Sequence, residues 1–179
     1  MNAVAMLEAD HRHVEHLLTK LAESEAGSER DAMVEQLSAA LSVHMQFEEQ
    51  ELYPLVARID GEMAEEAGIE HGLARDGVTK LTELASAPGF GAAVEMLAGG
   101  ISHHVEEEEG EMFPKLRSAS DTATLDALGR ALQQAKAAAG LPPFDPELVT
   151  KAQLLELARE AGIDGRSKMT KRELQRALS

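Results

Sequence analysis

Cysteine and tryptophan are absent from this chain of 179 residues, tyrosine occurs once and phenylalanine four times. Without cysteine there is no disulfide, no thiolate metal site and no cysteine nucleophile. Aromatic residues make up only 3%, while Ala, Leu, Glu and Met are plentiful, a balance that favours helix over sheet. Nowhere do about 18 apolar residues stand together, the length a membrane-spanning helix needs. The first residues, MNAVAMLEADHRH, lack the basic stretch and following apolar run of a secretory signal. A cytoplasmic protein with no membrane partner is expected.

The formal charge of −15 is unevenly spread. From Leu148 onward there are seven Lys or Arg against four Asp or Glu, leaving ten basic and 28 acidic residues in the rest. Two units with different partners are implied. Between them GLPPFDP, Gly140 to Pro146, reads as a stiff linker. The expected division is a helical domain over 1–139, a linker over 140–147 and a small helical module over 148–179.

What the sequence does contain is a duplication. LSVHMQFEEQELYP (Leu41 to Pro54) returns as ISHHVEEEEGEMFP (Ile101 to Pro114), so that His44, Glu48 and Pro54 correspond to His104, Glu108 and Pro114. Residues i and i+4 of a helix lie one turn apart on one face, so each His and Glu pair points the same way. Apolar residues at helical spacing run Val34, Leu37, Leu41 before the first pair and resume at Leu52, Leu55 and Ile59; Val94, Leu97 and Ile101 precede the second pair and Met112 follows it. The pairs fill the gaps in the stripes, which places them in the seam between helices.

Two further helices carry a seam histidine. Val4, Leu7, His11, Val14, Leu18 and Leu21 form one stripe, and Ala64, Ala67, His71, Ala74, Val78 and Leu81 another. With the cassette helices, capped near Ser28 and begun near Gly91, they make four long amphipathic helices joined by short turns. The expected fold is all-α, an up-down-up-down four-helix bundle, flanked by a fifth helix over Thr124 to Ala139. Gly99 and Gly100 sit inside the fourth helix, where each lowers helix propensity by about 1 kcal/mol, and close helix packing is the expected reason. Pro54 and Pro114 are expected to kink or shorten their helices just past the cassettes.

Six polar groups thus meet at one level: His11, His44, Glu48, His71, His104 and Glu108. A buried polar group without a partner costs on the order of 1 to 3 kcal/mol, and a carboxylate more, against a total stability of roughly 5 to 15 kcal/mol. A metal centre removes the conflict. Imidazole and carboxylate without thiolate suit iron or manganese, with zinc an alternative. Two carboxylates facing one another across a bundle can bridge two ions, each also held by two His. The ferritin-like pattern calls for Glu-x-x-His twice, and only Glu8 with His11 fits it. Glu51, Glu70 and Glu111 stand at adjoining helix positions, and Tyr53 lies close enough for a phenolate ligand or a hydrogen-bond donor. His13, His16 and His103 are expected at the surface, as is most of the run Glu106 to Glu109.

These segments, ADHRHVEHLL, the His-x-x-x-Glu-Glu block with its LYP, the EH of Glu70 and His71, and HHVEEEEGEMFP, resemble the motifs of the hemerythrin-like (HHE) cation-binding family over Met1 to about Lys136. The resemblance implies a four-helix bundle with an oxo- or hydroxo-bridged di-iron site and His11, His44, Glu48, His71, His104 and Glu108 as ligands. Oxygen-carrying members have a fifth His one turn from the third-helix ligand, where this chain has Ala67 and Arg75, so reversible oxygen carriage is not expected. The expected function is reaction with small oxidants, with catalase-like hydrogen peroxide breakdown favoured and oxygen or nitric oxide chemistry next, in oxidative or nitrosative stress. A non-enzymatic oxygen, iron or nitric oxide sensor or iron-binding module is the alternative.

In the tail, Thr150 with Gln153 and Thr170 with Glu173 have capping-box spacing, so two short helices should begin there. Leu154, Leu155, Leu157 and Ala158 would pack against Leu174 and Leu178. The segment is similar to the N-terminal helical domain of transcription terminator Rho, related in shape to SAP modules. Lys168, Lys171, Arg172 and Arg176 form a modest basic face without aromatic residues for base stacking; a docking or stabilising appendage is the expected role, with weak nucleic-acid contact the alternative.

Overall fold

The computed structural model describes residues 2–142, 150–160 and 162–178, so most of the linker expected at 140–147 lies outside the described residues. All the regular elements among them are helical. Helix α1 (Ala3–Ala22) is followed by α2 (Ser28–Phe47), a π-helical turn (Glu48–Leu52), the short α3 (Tyr53–Val56) and α4 (Gly61–Leu84). Then come α5 (Phe90–Glu107), a second π-helical turn (Glu108–Met112), α6 (Phe113–Ala119) and α7 (Thr122–Ala138). Helices α8 (Lys151–Glu160) and α9 (Lys171–Leu178) follow, with a 3-10 turn between them at Arg166–Lys168. No helix among the described residues is long and apolar enough to cross a membrane.

Each bundle helix starts for a local reason. Asp60 accepts from the Met63 amide at 3.3 Å and so caps α4, occupying one of the free N–H groups of the first turn. Helix α2 has no side-chain cap: Gly27 (φ 146°) precedes it, and Ser28, the expected cap, is its first helical residue. Glu29 and Asp31 lie in that first turn instead, where their charge favours the positive end of the helix dipole. Gly89, at φ 96°, turns the chain into α5 in a conformation that favours glycine. Arg30 binds this corner, donating to the Ala85 carbonyl at 3.0 Å and lying 4.2 Å over the Phe90 ring.

The chain divides into two compact units, one of Met1–Asp10 with Ser120–Ser179 and one of His11–Ala119. The second holds the bundle core. Val14, Leu17, Leu18 and Leu21 of α1 meet Val34, Leu37, Leu41 and Met45 of α2, Val78 and Leu81 of α4, and Phe90, Val94, Leu97, Ile101 and Val105 of α5. These are the stripes the sequence traces up to each cassette. Beyond the first cassette the register changes: Tyr53 and Val56 are buried, while Leu55 is half-buried and Ile59 is 43% exposed. The π turn inserts one residue, which advances the buried face past the expected Leu55 and Ile59.

In the other unit, Asp121 caps α7 by accepting from Thr124 at 2.8 Å. Leu154, Leu157, Ala158 and Leu174 pack on Ala5 and Ala9. Both expected capping boxes form: the Thr150 amide donates to Gln153 at 2.7 Å and the Gln153 amide to Thr150 Oγ1 at 3.2 Å. The Thr170 and Glu173 pair repeats the arrangement at 2.7 and 3.3 Å.

Candidate metal centre

The sequence-derived candidates converge. His11 on α1, His44 on α2, His71 on α4 and His104 on α5, with Glu48 and Glu108 at the starts of the two π turns, are all buried in the bundle. They form two groups, His11 with His44 and His71 with His104, and both groups share Glu48 and Glu108. Within each group one atom per residue lies within 4.8 Å of all the others.

The sharing is specific to one oxygen of each carboxylate. Glu48 Oε2 is 3.0 Å from His44 Nε2 and 3.4 Å from His71 Nε2. Glu108 Oε2 is 3.3 Å from His11 Nε2 and 3.6 Å from His104 Nε2. Donors at ~2.1 Å from one ion stand about 3 Å apart at right angles, so these spacings suit ligands of a common cation. Despite the closeness, His11 Nε2, both oxygens of Glu48 and Oε2 of Glu108 have no hydrogen-bond partner in the protein. Buried polar atoms are otherwise satisfied almost without exception, and a cation among these four is the partner that meets them all at once.

The outer faces of the rings explain their orientation. His11 Nδ1 meets Glu109 Oε1 at 2.8 Å, His71 Nδ1 meets Glu49 Oε1 at 3.1 Å and His104 Nδ1 meets Glu70 Oε2 at 2.8 Å. With Nδ1–H donating outward, each ring turns the lone pair of Nε2 inward, the tautomer a metal needs. Arginines hold two of the outer carboxylates in turn, Arg12 donating to Glu109 and Arg75 to Glu49 at 2.7 Å, and His103 lies 3.7 Å from Glu70. Arg75 therefore orients His71 through Glu49.

The π turns also set what faces the two groups. Residue i+5 after each buried Glu comes onto its face, and these residues are Tyr53 and Phe113. The Tyr53 hydroxyl donates to Glu108 Oε1 at 2.9 Å and lies 3.0 Å from His71 Nε2. Phe113 stacks on His11 with centroids 5.9 Å apart. One group thus meets a hydroxyl and the other an apolar ring.

Electrostatics follow from burial and pairing. Burial alone would raise the Glu48 carboxyl, but His44 and His71 hold it well below the usual carboxylate range. Burial would lower His11, and its contacts with Glu108 and Glu109 outweigh this and raise it. Burial, with the charges of Glu48 and Glu108, pushes the Tyr53 phenol up, so it stays a donor.

Of the other candidates, Glu70 reaches the site only through His104, and Glu51 and Glu111 are exposed, the latter 3.9 Å from Lys115. His103 and His16 are exposed and His13 half-buried. The sequence reading missed Glu49 and Glu109, placing Glu109 on a solvated face. Their signal was present: each directly follows the buried Glu of its cassette.

The family described as hemerythrin HHE cation binding domain matches residues 2–116. No curated protein matches, and no comparison supports the likeness of the tail to the terminator module. The fold is similar to the crystal structure of a hemerythrin HHE cation binding domain-containing protein from Mycobacterium kansasii, at TM-score 0.68 and 24% identity, over 93% of this chain and 96% of that one. The chain belongs to the hemerythrin HHE cation-binding family.

Proposed function

We propose that the chain holds two iron ions in a non-haem centre and uses them on small oxidants, with hydrogen peroxide breakdown as the activity. The observation that carries this reading is the double sharing: Glu48 Oε2 and Glu108 Oε2 each face one histidine from both groups. A single-ion site would need only one group. Each ion would have two imidazoles and two carboxylate oxygens, fewer donors than six-coordinate iron takes, so positions remain for a small ligand. Paired redox-active metals supply two-electron chemistry at one place.

The protein's own residues account for the rest. The three outer carboxylates keep Nε2 of His11, His71 and His104 aimed inward without rearrangement. Tyr53 holds a proton 2.9 Å from Glu108 on one side of the site, and the Phe113 ring stacks on His11 on the other. The reading predicts that the iron-loaded chain consumes hydrogen peroxide faster than an equal amount of free iron. Glu48→Gln and Glu108→Gln should each bring the rate down to that of free iron. Turnover no faster than free iron in the unaltered chain would remove peroxide breakdown from the account.

A further inference from the structure

A cavity of about 580 Å³ in the bundle unit opens onto the candidate metal centre. At its inner end are the four seam histidines, with the buried Val14, Leu41 and Met45. Its walls, from α4 and α5, are mostly apolar, and at its mouth stand Leu73 and Met96, 66% and 81% exposed.

The small oxidants need far less room than this. One water occupies about 30 Å³ of liquid, and an apolar cavity of about 150 Å³ already admits a guest the size of benzene. At this volume it matches sites that take organic molecules, roughly 300 to 1,000 Å³. Its lining offers little to hydrogen-bond a cluster of waters; of its charged residues Glu70 is engaged by His104, and Asp76 and Lys80 are of opposite sign. Neither feature selects a charged guest.

Glycine supplies an independent observation. Gly100 interrupts α5 in mid-helix, and close packing does not explain it: a Cβ there would meet nothing within 4 Å, and the same holds for Gly99. Gly100 lines the cavity. A side chain at that position would stand in the opening, so the glycine keeps open what the rest of the lining encloses. Ala74 and Ala93 keep the walls thin in the same way.

We infer that this cavity binds an uncharged, largely apolar organic molecule, one end of which reaches the histidine face of the metal centre. The inference does not depend on which metal the centre holds. Met96 gives the mouth an adaptable apolar rim.

The test uses the full chain as purified with its metal, titrated with N-phenylnaphthylamine, an uncharged probe whose emission rises in apolar surroundings. Saturable binding of one probe per chain, displaced by octanol, is expected. Gly100→Leu, which fills the opening, should weaken binding at least tenfold, and Ala74→Leu should weaken it from the opposite helix. Gly99→Leu, one residue away and outside the lining, should leave it unchanged. Leucine is the better helix former, so both glycine variants should retain their helicity, checked by far-ultraviolet circular dichroism. Absence of saturable binding, or equal affinity in the Gly100→Leu, Ala74→Leu and unaltered chains, would overturn the inference. So would equal weakening by Gly99→Leu and Gly100→Leu.

Discussion

Among the described residues Glu48 and Glu108 are the most deeply buried carboxylates, at 0% and 1% exposure, and the ion pairs of both are with histidines. Three of these histidine neighbours, His11, His71 and His104, have outer nitrogens already held by carboxylates, which is why the pair reads as a cation cradle rather than a buried ion-pair network. Removing an outer carboxylate should weaken metal binding without abolishing it, by about 10- to 100-fold. Glu109→Ala is therefore expected to raise the metal dissociation constant by that range, and Glu109→Gln, which keeps an acceptor for His11, to restore most of the loss. An unchanged constant in Glu109→Ala, measured by competition with a chelator, would show that the outer hydrogen bond does not position His11. Asp60 gives a pH-dependent prediction. Its bond from Lys115 at 3.0 Å, with the Met63 amide, holds its carboxyl below the ordinary 3.8. A folded-state value below the unfolded one stabilises the fold above that pH, and the contribution disappears as pH falls through the folded value. The difference in thermal midpoint between the unaltered chain and Asp60→Asn should thus shrink between pH 6 and pH 3. A difference constant across that range would contradict the assignment.

The helices were legible because their buried faces repeat at helical spacing and are broken only at the cassettes. His11 and His71 could be read as site residues for the same reason, since each falls at the centre of an otherwise apolar stripe. The π turns were not legible. EEQEL has ordinary helix-forming composition, and Gly110 in EEGEM marks a weak helical position without signalling an inserted residue, so the extra residue shows only in its result, Tyr53 and Val56 buried where Leu55 and Ile59 continue the pattern. The prolines, Pro54 and Pro114, fall just beyond each turn, in the first residues of α3 and α6, where a missing N–H is tolerated. Glu49 and Glu109 escaped notice because a pattern of apolar residues says nothing about which of several adjacent glutamates turns toward a neighbouring helix. Gly99 provides the element-scale prediction. It lies in open space, so Gly99→Ala should stabilise α5 by about 1 kcal/mol and raise the thermal midpoint by roughly 2 to 4 °C, with metal content unchanged. A lower midpoint would mean that the glycine serves a purpose other than flexibility.

At the scale of the molecule, the acidic body and the basic tail differ in charge as their sequences indicate, and all six candidate ligands fall within the His11–Ala119 unit. The family match, over 2–116, covers the same region. A fold that buries six ionisable groups at one level is stable only if something binds them there, since structural metals contribute their binding energy to folding. The central claim is that this something is a pair of ions held through both shared carboxylates. The most direct measurement is elemental analysis of metal per chain, on protein produced with iron, for the unaltered chain and for Glu48→Ala with Glu108→Ala. The account predicts about two irons per chain and essentially none in the double variant. One iron or fewer in the unaltered chain, or iron retained by the double variant, would contradict it.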